Sequence, residues 1–372
     1  MELTLEKILL SARKHGASDV HLVNGLSPAL RINGDIRIVE GKPLDPAGLK
    51  AIYDSLLNQP QKDTFELDWQ VCFSRRIEGI GRFRISVYLH AGGPEFSIRL
   101  CESTIRSATD LGLPDIMDDL ARLNDGLVLV TGPTGMGKTT TLNYLINAIN
   151  EQRRAKIITI EDPVEFEHRN LRSIVIQQEL LGDVKSYQSA LRHVLRQDPD
   201  VIVIGEMRDL VTMETALIAA ETGHLVIATL HTPDSIQTVQ RIYSVFPAEQ
   251  QNSITVQLAN SLQAIIAQKL LPKAADGGRV LACEVCVSTP AVRNHIREKQ
   301  PHLIYSEMQT GRRHKMQTMD QTLLGFYQQG MISYDMALTH AYDQDFIRHR
   351  VEQNADGSSE PSSGVRKFAA KK

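Results

Sequence analysis

The first hundred residues carry short hydrophobic patterns of two kinds, helical and strand-like. Residues 3–15 place apolar side chains at helical spacing and Gly16 follows as a C-cap signal, so this segment predicts a helix. Asn33-Gly34 tolerates positive φ and is a strong signal for a hairpin turn. Apolar and polar positions alternate, as in strands, at residues 19–23, 28–32, 35–39, 81–89 and 95–100. The pattern predicts a small α+β domain.

Beyond a linker that is at first rich in Ser and Thr, the pattern changes to continuous apolar runs separated by helical segments. The runs lie at residues 127–130, 156–160, 201–204 and 225–230. Such runs are typical of strands covered on both faces, and their alternation with helices such as residues 139–150 and 187–196 predicts a parallel α/β sheet. After about Ser253 we expect mostly helix, and the polar C-terminal end is expected to be disordered.

Length and pattern together divide the chain, since 372 residues exceed one ordinary hydrophobic core. The predicted parts are an N-terminal domain, a linker, an α/β domain and a disordered tail, at residues 1–102, 103–113, 114–350 and 351–372. With 42% hydrophobic and 23% charged residues, the composition is that of an ordinary globular protein.

Charge and hydropathy exclude several classes of partner. Lys and Arg number 41 against 44 Asp and Glu, so the net charge of −3 offers no polybasic surface for duplex DNA and we expect no nucleic-acid partner. No apolar run approaches the roughly 18 residues that a membrane-spanning helix needs, and no signal peptide is visible. Any membrane contact is expected to be peripheral. Four cysteines are too few for a disulfide framework and fit a reducing cytoplasm.

The sequence Gly-Pro-Thr-Gly-Met-Gly-Lys-Thr at residues 132–139 satisfies G-x-x-x-x-G-K-[ST]. It follows an apolar strand and precedes a helical stretch, which is the context of a phosphate-binding P-loop. Lys138 is expected to reach the β and γ oxygens, and the Thr139 hydroxyl to ligate Mg²⁺. We therefore predict an ATP site with Mg²⁺, lined by the loop residues Gly132, Pro133, Thr134, Gly135, Met136, Gly137, Lys138, Thr139 and Thr140.

Carboxylates follow two of the predicted strands, at the ends where α/β sheets bind their ligands. Glu206 comes after four apolar residues and a glycine, where a Walker B strand usually ends in Asp or Asp-Glu, and is placed to act through water on Mg²⁺ or on the attacking nucleophile. Glu161, Asp162 and Glu165 cannot all be catalytic. Because Pro163 breaks the strand, Glu165 can point back toward the phosphates. A solvated acidic turn is the alternative for Glu161 and for Glu165.

Two histidines bracket the predicted strand at residues 225–230. His224 and His231 lie about 23 Å apart along an extended strand, so they cannot share one metal ion. His231, at the carboxyl end, suits a sensor of the γ-phosphate. His224, at the opposite end, is expected to be structural.

Four segments in order resemble the Walker A, Asp box, Walker B and His box of the type II/type IV secretion ATPases: residues 132–139, 160–165, 205–209 and 222–232. Within that superfamily the chain is most similar to the ATPases that retract type IV pili in twitching motility. Ala-Ser-Asp-Val-His-Leu at residues 17–22 and the segment at residues 291–298 carry this closer resemblance. It runs from about residue 3 to residue 345.

The resemblance implies a PAS-like N-terminal domain, a RecA-like ATPase domain with a helical C-terminal part, and a ring-shaped homohexamer. ATP would lie between the two domains and be completed by arginines of the small domain, where Arg84 and Arg99 fit and Arg82 is the reserve candidate. Exposed strand arginines are the alternative. The implied protein is a cytoplasmic ATP-hydrolysing motor, peripherally associated with the inner membrane at the pilus base. Its implied partners are an inner-membrane platform protein and a second retraction ATPase.

Some features depart from this pattern or leave it open. Met136 stands where the family usually has Ser, and His295 where the retraction motif usually has Leu.

Cys283 and Cys286 are expected to be strand residues and not zinc ligands, because no second Cys-x-x-Cys exists. The basic cluster at residues 311–315 is either a solvated loop or a surface for anionic lipid or a membrane partner. The remaining alternatives are a pilus-extension or type II secretion ATPase, and a nucleotide-gated accessory subunit with weak turnover.

Overall fold

The computed structural model describes residues 4–32, 34–275 and 277–357, with side chains to residue 353. Its N-terminal part contains three helices and six strands. They are α1 (Leu5–Lys14), β1 (Asp19–Leu22), β2 (Ala29–Ile32), β3 (Asp35–Ile38), α2 (Pro46–Leu56), α3 (Gln59–Asp68), β4 (Gln70–Ile77), β5 (Gly81–His90) and β6 (Gly93–Leu100). The predicted first helix and the five predicted strands are confirmed. Residue Asn33 of the predicted hairpin turn lies outside the described residues.

The six strands form one antiparallel sheet in the order β3-β2-β1-β6-β5-β4. The apolar sides of α1, α2 and α3 pack on it around the fully buried Phe73, Phe83 and Phe96. Apolar burial of this kind is the main favourable term in folding, so the sheet and helices form a separate core. The N-terminal part is therefore the predicted α+β domain.

The second part is built on a seven-stranded sheet. Its first thirteen elements, in chain order, are α4 (Ala108–Leu111), α5 (Met117–Ala121), β7 (Gly126–Thr131), α6 (Lys138–Gln152), β8 (Lys156–Glu161), β9 (Ile174–Glu179), α7 (Tyr187–Val194), β10 (Val201–Ile204), α8 (Leu210–Glu221), β11 (Leu225–Leu230), α9 (Ser235–Ser244), α10 (Ala248–Ser261) and β12 (Leu262–Pro272). The four predicted strands of the α/β domain are confirmed.

The remaining elements are one strand and a set of short helices. They are β13 (Arg279–Val287), α11 (Pro290–Arg297), a 3₁₀ turn at Pro301–Leu303, α12 (Ile304–Thr310), a 3₁₀ turn at Gly311–His314, α13 (Met319–Gln328), α14 (Tyr334–His340) and α15 (Gln344–Gly357). The chain after Ser253 is mostly helical, as expected, except for β12 and β13, which pair antiparallel over nine residues. The segment predicted as a disordered tail begins inside α15, and its residues 358–372 lie outside the described residues.

The seven strands lie in the order β13-β12-β7-β11-β10-β8-β9, and every neighbouring pair except β12 with β13 is parallel. Both faces are covered by helices, with separate hydrophobic clusters on either side. Because β7, β8, β10 and β11 are parallel, their carboxyl ends meet at one edge of the sheet. Three of the predicted motifs lie at that edge, and the fourth, at residues 222–232, runs along β11 and ends there.

Candidate active site

The P-loop joins β7 to α6, and its glycines are required by one close backbone contact and by positive φ angles. At Gly132 the φ angle is +138°, and a Cβ atom there would clash with the carbonyl oxygen of Gln268 in β12. Gly137 forms the N-cap of α6 with a φ of 86°. Met136 packs its sulfur 3.1 Å from the backbone nitrogen of Leu270, so the residue that departs from the family pattern holds the loop against β12.

Lys138 is buried at the first position of α6. Its Nζ donates to the carbonyl oxygens of Gly132 at 2.6 Å and Pro133 at 2.9 Å, and lies 3.2 Å from Nδ1 of His231. Burial lowers the pKa of this ammonium group, and the negative charge of Glu206 acts in the opposite direction. The ammonium group of Lys138 is thus held at the P-loop by two backbone carbonyls and one imidazole ring.

His231 connects the P-loop to Glu206. It follows β11, and its Nε2 lies 2.8 Å from Oε1 of Glu206, which follows β10. Since an ammonium group can only donate, the contact with Lys138 makes Nδ1 an acceptor and leaves the Nε2 proton for Glu206. The second oxygen of Glu206 accepts from Nε of Arg208 at 2.8 Å, and Arg208 also lies 3.7 Å from Asp162. A continuous set of charged groups therefore crosses the carboxyl edge of the sheet.

The three acidic residues of the Asp box differ sharply in environment. Glu161 is 4% exposed, and its carboxylate accepts from the Thr159 hydroxyl at 2.6 Å and from the side chain of Gln177 at 3.0 Å. Burial raises the pKa of Glu161 and also that of Asp162. Glu165 turns toward the N-terminal domain and accepts from Nη1 of Arg84 at 2.7 Å. The hydrogen bonds of Glu161 are those of a structural residue. Asp162 and Glu165 instead lie next to arginines, Arg208 and Arg84.

One arginine of β5 and one of β6 line the cavity that contains the P-loop. Arg84 and Arg99 are direct partners across these two strands. Arg99 is paired with Asp19 at 3.0 Å and its side chain is 62% exposed. Both line the cavity between the domains. Arg82 does not: it bonds to Val164, Glu167 and Glu179 at the domain contact. The geometry therefore separates the two cavity arginines from the reserve candidate.

The cavity has a volume of about 810 Å³ and lies between the P-loop and the N-terminal domain. Of the predicted site residues, it is lined by Thr134, Gly135, Gly137, Lys138, Thr139, Thr140, Glu165, Glu206, His231, Arg84 and Arg99. Gly132, Pro133 and Met136 belong to the loop but do not line the cavity. Sequence reasoning missed Tyr187, the linker residues Arg106 and Leu111, and the β12–β13 hairpin residues Leu270 and Leu281, which also line it. Only a structure brings these distant segments to one place.

A family model described as "Type II/IV secretion system protein" matches residues 1–360. The chain belongs to this family. It is 41% identical over 335 residues to the type IV pilus retraction ATPase PilT of Pseudomonas aeruginosa, covering 90% of this chain and 97% of PilT. It is 35% identical over 363 residues to the type IV pilus ATPase PilU of the same organism, covering 98% and 95% of the two chains.

A solved structure of the pilus retraction motor PilT with bound ADP is also similar. It is 44% identical, with a TM-score of 0.87, and the match covers 94% of this chain and 100% of that one. The expected arrangement of a PAS-like domain followed by a RecA-like ATPase domain with a helical C-terminal part is thereby confirmed. Among the described residues of this family member, no helix is both long and apolar enough to cross a membrane.

Three motifs outside the cavity have simple structural surroundings. His224 precedes β11 and its Nδ1 lies 3.1 Å from the carbonyl oxygen of Ala219, as a structural histidine would. Cys283 and Cys286 are both buried in β13, and they belong to the hydrophobic clusters on opposite sides of the sheet. In the basic cluster, Lys315 forms an ion pair with Asp119 of α5. None of the three touches the candidate active site.

Proposed function

We propose that this chain is the ATP-hydrolysing motor that drives retraction of type IV pili. The observation that carries the proposal is the alignment with PilT along 97% of that protein, together with the charged residues gathered around one cavity. Retraction is the work for which PilT and its solved structure are named. The ADP bound in that structure supports a nucleotide as the ligand of this cavity.

In the proposed mechanism, the P-loop binds the phosphates of ATP. Backbone N–H groups at the start of α6 and the ammonium of Lys138 neutralise them. Mg²⁺ fits a site whose donors are one hydroxyl, that of Thr139, and phosphate oxygens, because this ion keeps several waters and needs few protein ligands. Among the described residues, no group of three or more His, Cys, Asp or Glu side chains could hold a metal ion. When bound, Mg²⁺ would neutralise charge on the transferred phosphoryl group.

The hydrolytic step is assigned to residues on both sides of the cavity. Glu165 is proposed to orient and deprotonate the attacking water, and Glu206 to act through water on the metal and nucleophile. Arg84 and Arg99 would stabilise the charge of the transition state, as arginines do in other phosphoryl transfers. His231, in contact with Lys138 and Glu206, is proposed to sense the γ-phosphate. Movement of one domain against the other would convert hydrolysis into work.

The assembly is proposed to be a homohexameric ring on the cytoplasmic side of the inner membrane, in peripheral contact at the pilus base. An inner-membrane platform protein is the proposed recipient of the force. Because P. aeruginosa has both PilT and PilU as relatives of this chain, a second retraction ATPase is a further candidate partner. Sedimentation of the purified protein with nucleotide tests the ring, and a monomer under all conditions contradicts it.

The enzyme proposal is tested by turnover of the purified chain with Mg-ATP. Wild-type protein should release phosphate at least tenfold faster than Glu206→Gln, which keeps the shape of the side chain and removes its charge. Equal rates in the two proteins would overturn the motor and favour the nucleotide-gated accessory subunit.

The direction of work needs a cellular measurement. Deleting the gene should leave cells with excess surface pili that do not retract, and Glu206→Gln should reproduce this phenotype. Cells without pili would instead favour the extension ATPase, and cells with normal pili but blocked secretion would favour the type II secretion ATPase.

A further inference from the structure

A buried carboxylate outside the four sequence motifs joins the two domains. Glu179 is the last residue of β9 and is 6% exposed. Its Oε1 accepts from the backbone nitrogen of Ser74 in β4 at 2.8 Å. Its Oε2 accepts from the Ser74 hydroxyl, from Nη2 of Arg82 in β5 at 2.9 Å, and from the backbone nitrogen of Val164 at 3.1 Å. One side chain of the ATPase domain thus bonds to two strands of the N-terminal domain and to its own Asp box.

Arg82 completes this contact from the other side. Its Nε donates to the carbonyl oxygen of Val164 at 2.7 Å, and its Nη1 donates to Glu167 at 2.7 Å. The backbone nitrogen of Val164 is therefore held by Glu179 and its carbonyl oxygen by Arg82. With both polar backbone groups of Val164 bonded, the position of the next residue, Glu165, is fixed relative to β5.

The register of β5 transmits this contact to the cavity. Arg82 and Arg84 are two residues apart on one strand, so their side chains leave the same face. On the facing loop, Val164 and Glu165 are consecutive. Holding Arg82 against Val164 therefore places Arg84 next to Glu165, where the two form their 2.7 Å ion pair. Neither Arg82 nor Glu179 lines the cavity itself.

We propose that Glu179 is a positioning residue for ATP hydrolysis. By fixing Arg82 and Val164 in register, it sets where Arg84 and Glu165 stand at the domain boundary of the cavity. This proposal rests on the hydrolytic function proposed above. It assigns to Glu179 no contact with nucleotide.

Both carboxylate oxygens of Glu179 are needed as acceptors. Three donors converge on Oε2, and a glutamine side chain offers an acceptor at only one of its two terminal atoms. In Glu179→Gln, either the amide group faces donors, or the contact to Ser74 through Oε1 is lost. The guanidinium of Arg82 would also lose its buried counter-charge, a strongly unfavourable change inside a protein. The expected result is a looser register between β5 and the Asp box.

The main experiment compares turnover and binding in three proteins: wild type, Glu179→Gln and Glu167→Gln. The last is the matched control, because it removes the other carboxylate charge on Arg82 without touching Val164. Glu179→Gln should lower kcat at least tenfold while the Kd for ADP stays within threefold, because the P-loop is built on other elements. Glu167→Gln should stay within threefold in both. An unchanged kcat in Glu179→Gln, or an equal loss of kcat and ADP affinity, would overturn the proposal.

A double variant separates positioning from general damage. If Glu179 acts through Arg84 and Glu165, then combining Glu179→Gln with Arg84→Gln should lower kcat little further than Arg84→Gln alone. Multiplicative losses would contradict the proposed route. Should Glu179→Gln fail to fold, Ser74→Ala removes one donor to the same carboxylate and should lower kcat about threefold with ADP affinity unchanged. A stable Ser74→Ala protein with wild-type kcat would count against the proposal.

Hydrogen exchange tests the same idea without turnover, and so keeps its failure distinct from failure of the enzyme proposal. In Glu179→Gln, the Val164 amide, followed in a peptide covering residues 162–168, should exchange about tenfold faster, because its carboxylate acceptor is lost. A peptide from α6 should be unchanged. Unchanged exchange at residues 162–168 would refute the positioning role even if the wild-type protein hydrolysed no ATP.

Discussion

Mild acid should destabilise the protein through one histidine next to the Asp box. The ring of His168 is largely buried against Phe166, with ring centroids 4.9 Å apart. Its Nε2 lies 2.9 Å from Oδ1 of Asn143 in α6, while its Nδ1 is buried and has no hydrogen-bond partner among the described residues. A protonated ring would carry a second N–H with no acceptor. Burial accordingly lowers the pKa of His168 from 6.5 to about 4.

The sign and size of the effect follow from this pKa. Between the unfolded pKa of 6.5 and the folded pKa of about 4, the unfolded chain binds a proton that the folded chain does not. The contribution to stability is therefore fully present above pH 6.5 and is lost as the pH falls toward 4. At 1.36 kcal/mol per pKa unit, the complete loss is about 3 kcal/mol. Two-state linkage gives a loss of about 2 kcal/mol between pH 7.5 and pH 5.

Urea denaturation of wild type and His168→Gln at both pH values measures this loss. Glutamine keeps a donor for Asn143 and cannot take up the proton, so the difference in unfolding free energy between the two proteins should shift by about 2 kcal/mol in favour of the variant at pH 5. His349→Gln, whose side chain is 75% exposed, controls for loss of a histidine as such. A difference between wild type and His168→Gln that stays constant from pH 7.5 to pH 5 would refute the reasoning.

Two further substitutions test the geometry of the site. Arg84→Gln should lower kcat about 100-fold, since one charged donor to a transition state contributes about that factor to the rate, while the Kd for ADP should change less than about threefold. Arg76→Gln, near the exposed end of β4, is the control. Equal effects of the two substitutions would contradict the role of Arg84. Gly132→Ala should lower the thermal midpoint and weaken ADP binding at least tenfold, because its Cβ meets the backbone oxygen of Gln268. Gly325→Ala, where the added Cβ has open space, should leave ADP binding intact, and a Gly132→Ala protein with wild-type binding would show that the loop tolerates the clash.

The covered strands of the α/β domain could be predicted because their residues are continuously apolar. Strand β12 was missed although its residues 264–267 are continuously apolar. For β13 only Cys283 and Cys286 were expected to lie in a strand, and in β9 and β13 the apolar run is absent or interrupted. In β9, residues Ile174 and Ile176 lie at the sheet edge and are half exposed, so no buried run marks the strand. In β13, Glu284 is almost completely buried and accepts from the backbone nitrogen of Ser235 at 2.8 Å. A charged residue inside a buried strand has a partner that only the tertiary structure supplies, and hydrophobic pattern cannot foresee it.

The candidate site divides in the same way. The strand, loop and helix of the P-loop could be predicted in detail, because they form a local motif that is contiguous in the sequence. The pairing of Arg84 with Glu165 joins residues 81 positions apart, and it depends on strand register and domain docking. From the sequence, Arg82 was the reserve candidate for the arginines that complete the ATP site. The structure instead gives Arg82 four acceptors away from the cavity, a distinction that residue type alone does not contain.

The geometry of His231 gives the proposed sensor role a physical basis. Lys138 now donates to two loop carbonyls and to Nδ1 of His231. An ammonium group has three donors, so reaching phosphate oxygens requires it to give up at least one of these partners. If Lys138 gives up its contact with His231, Nδ1 loses its hydrogen-bond donor while Nε2 still lies 2.8 Å from Oε1 of Glu206. Occupation of the phosphate site would then change the hydrogen bonding of the Walker B carboxylate through a single imidazole ring, without movement of either strand.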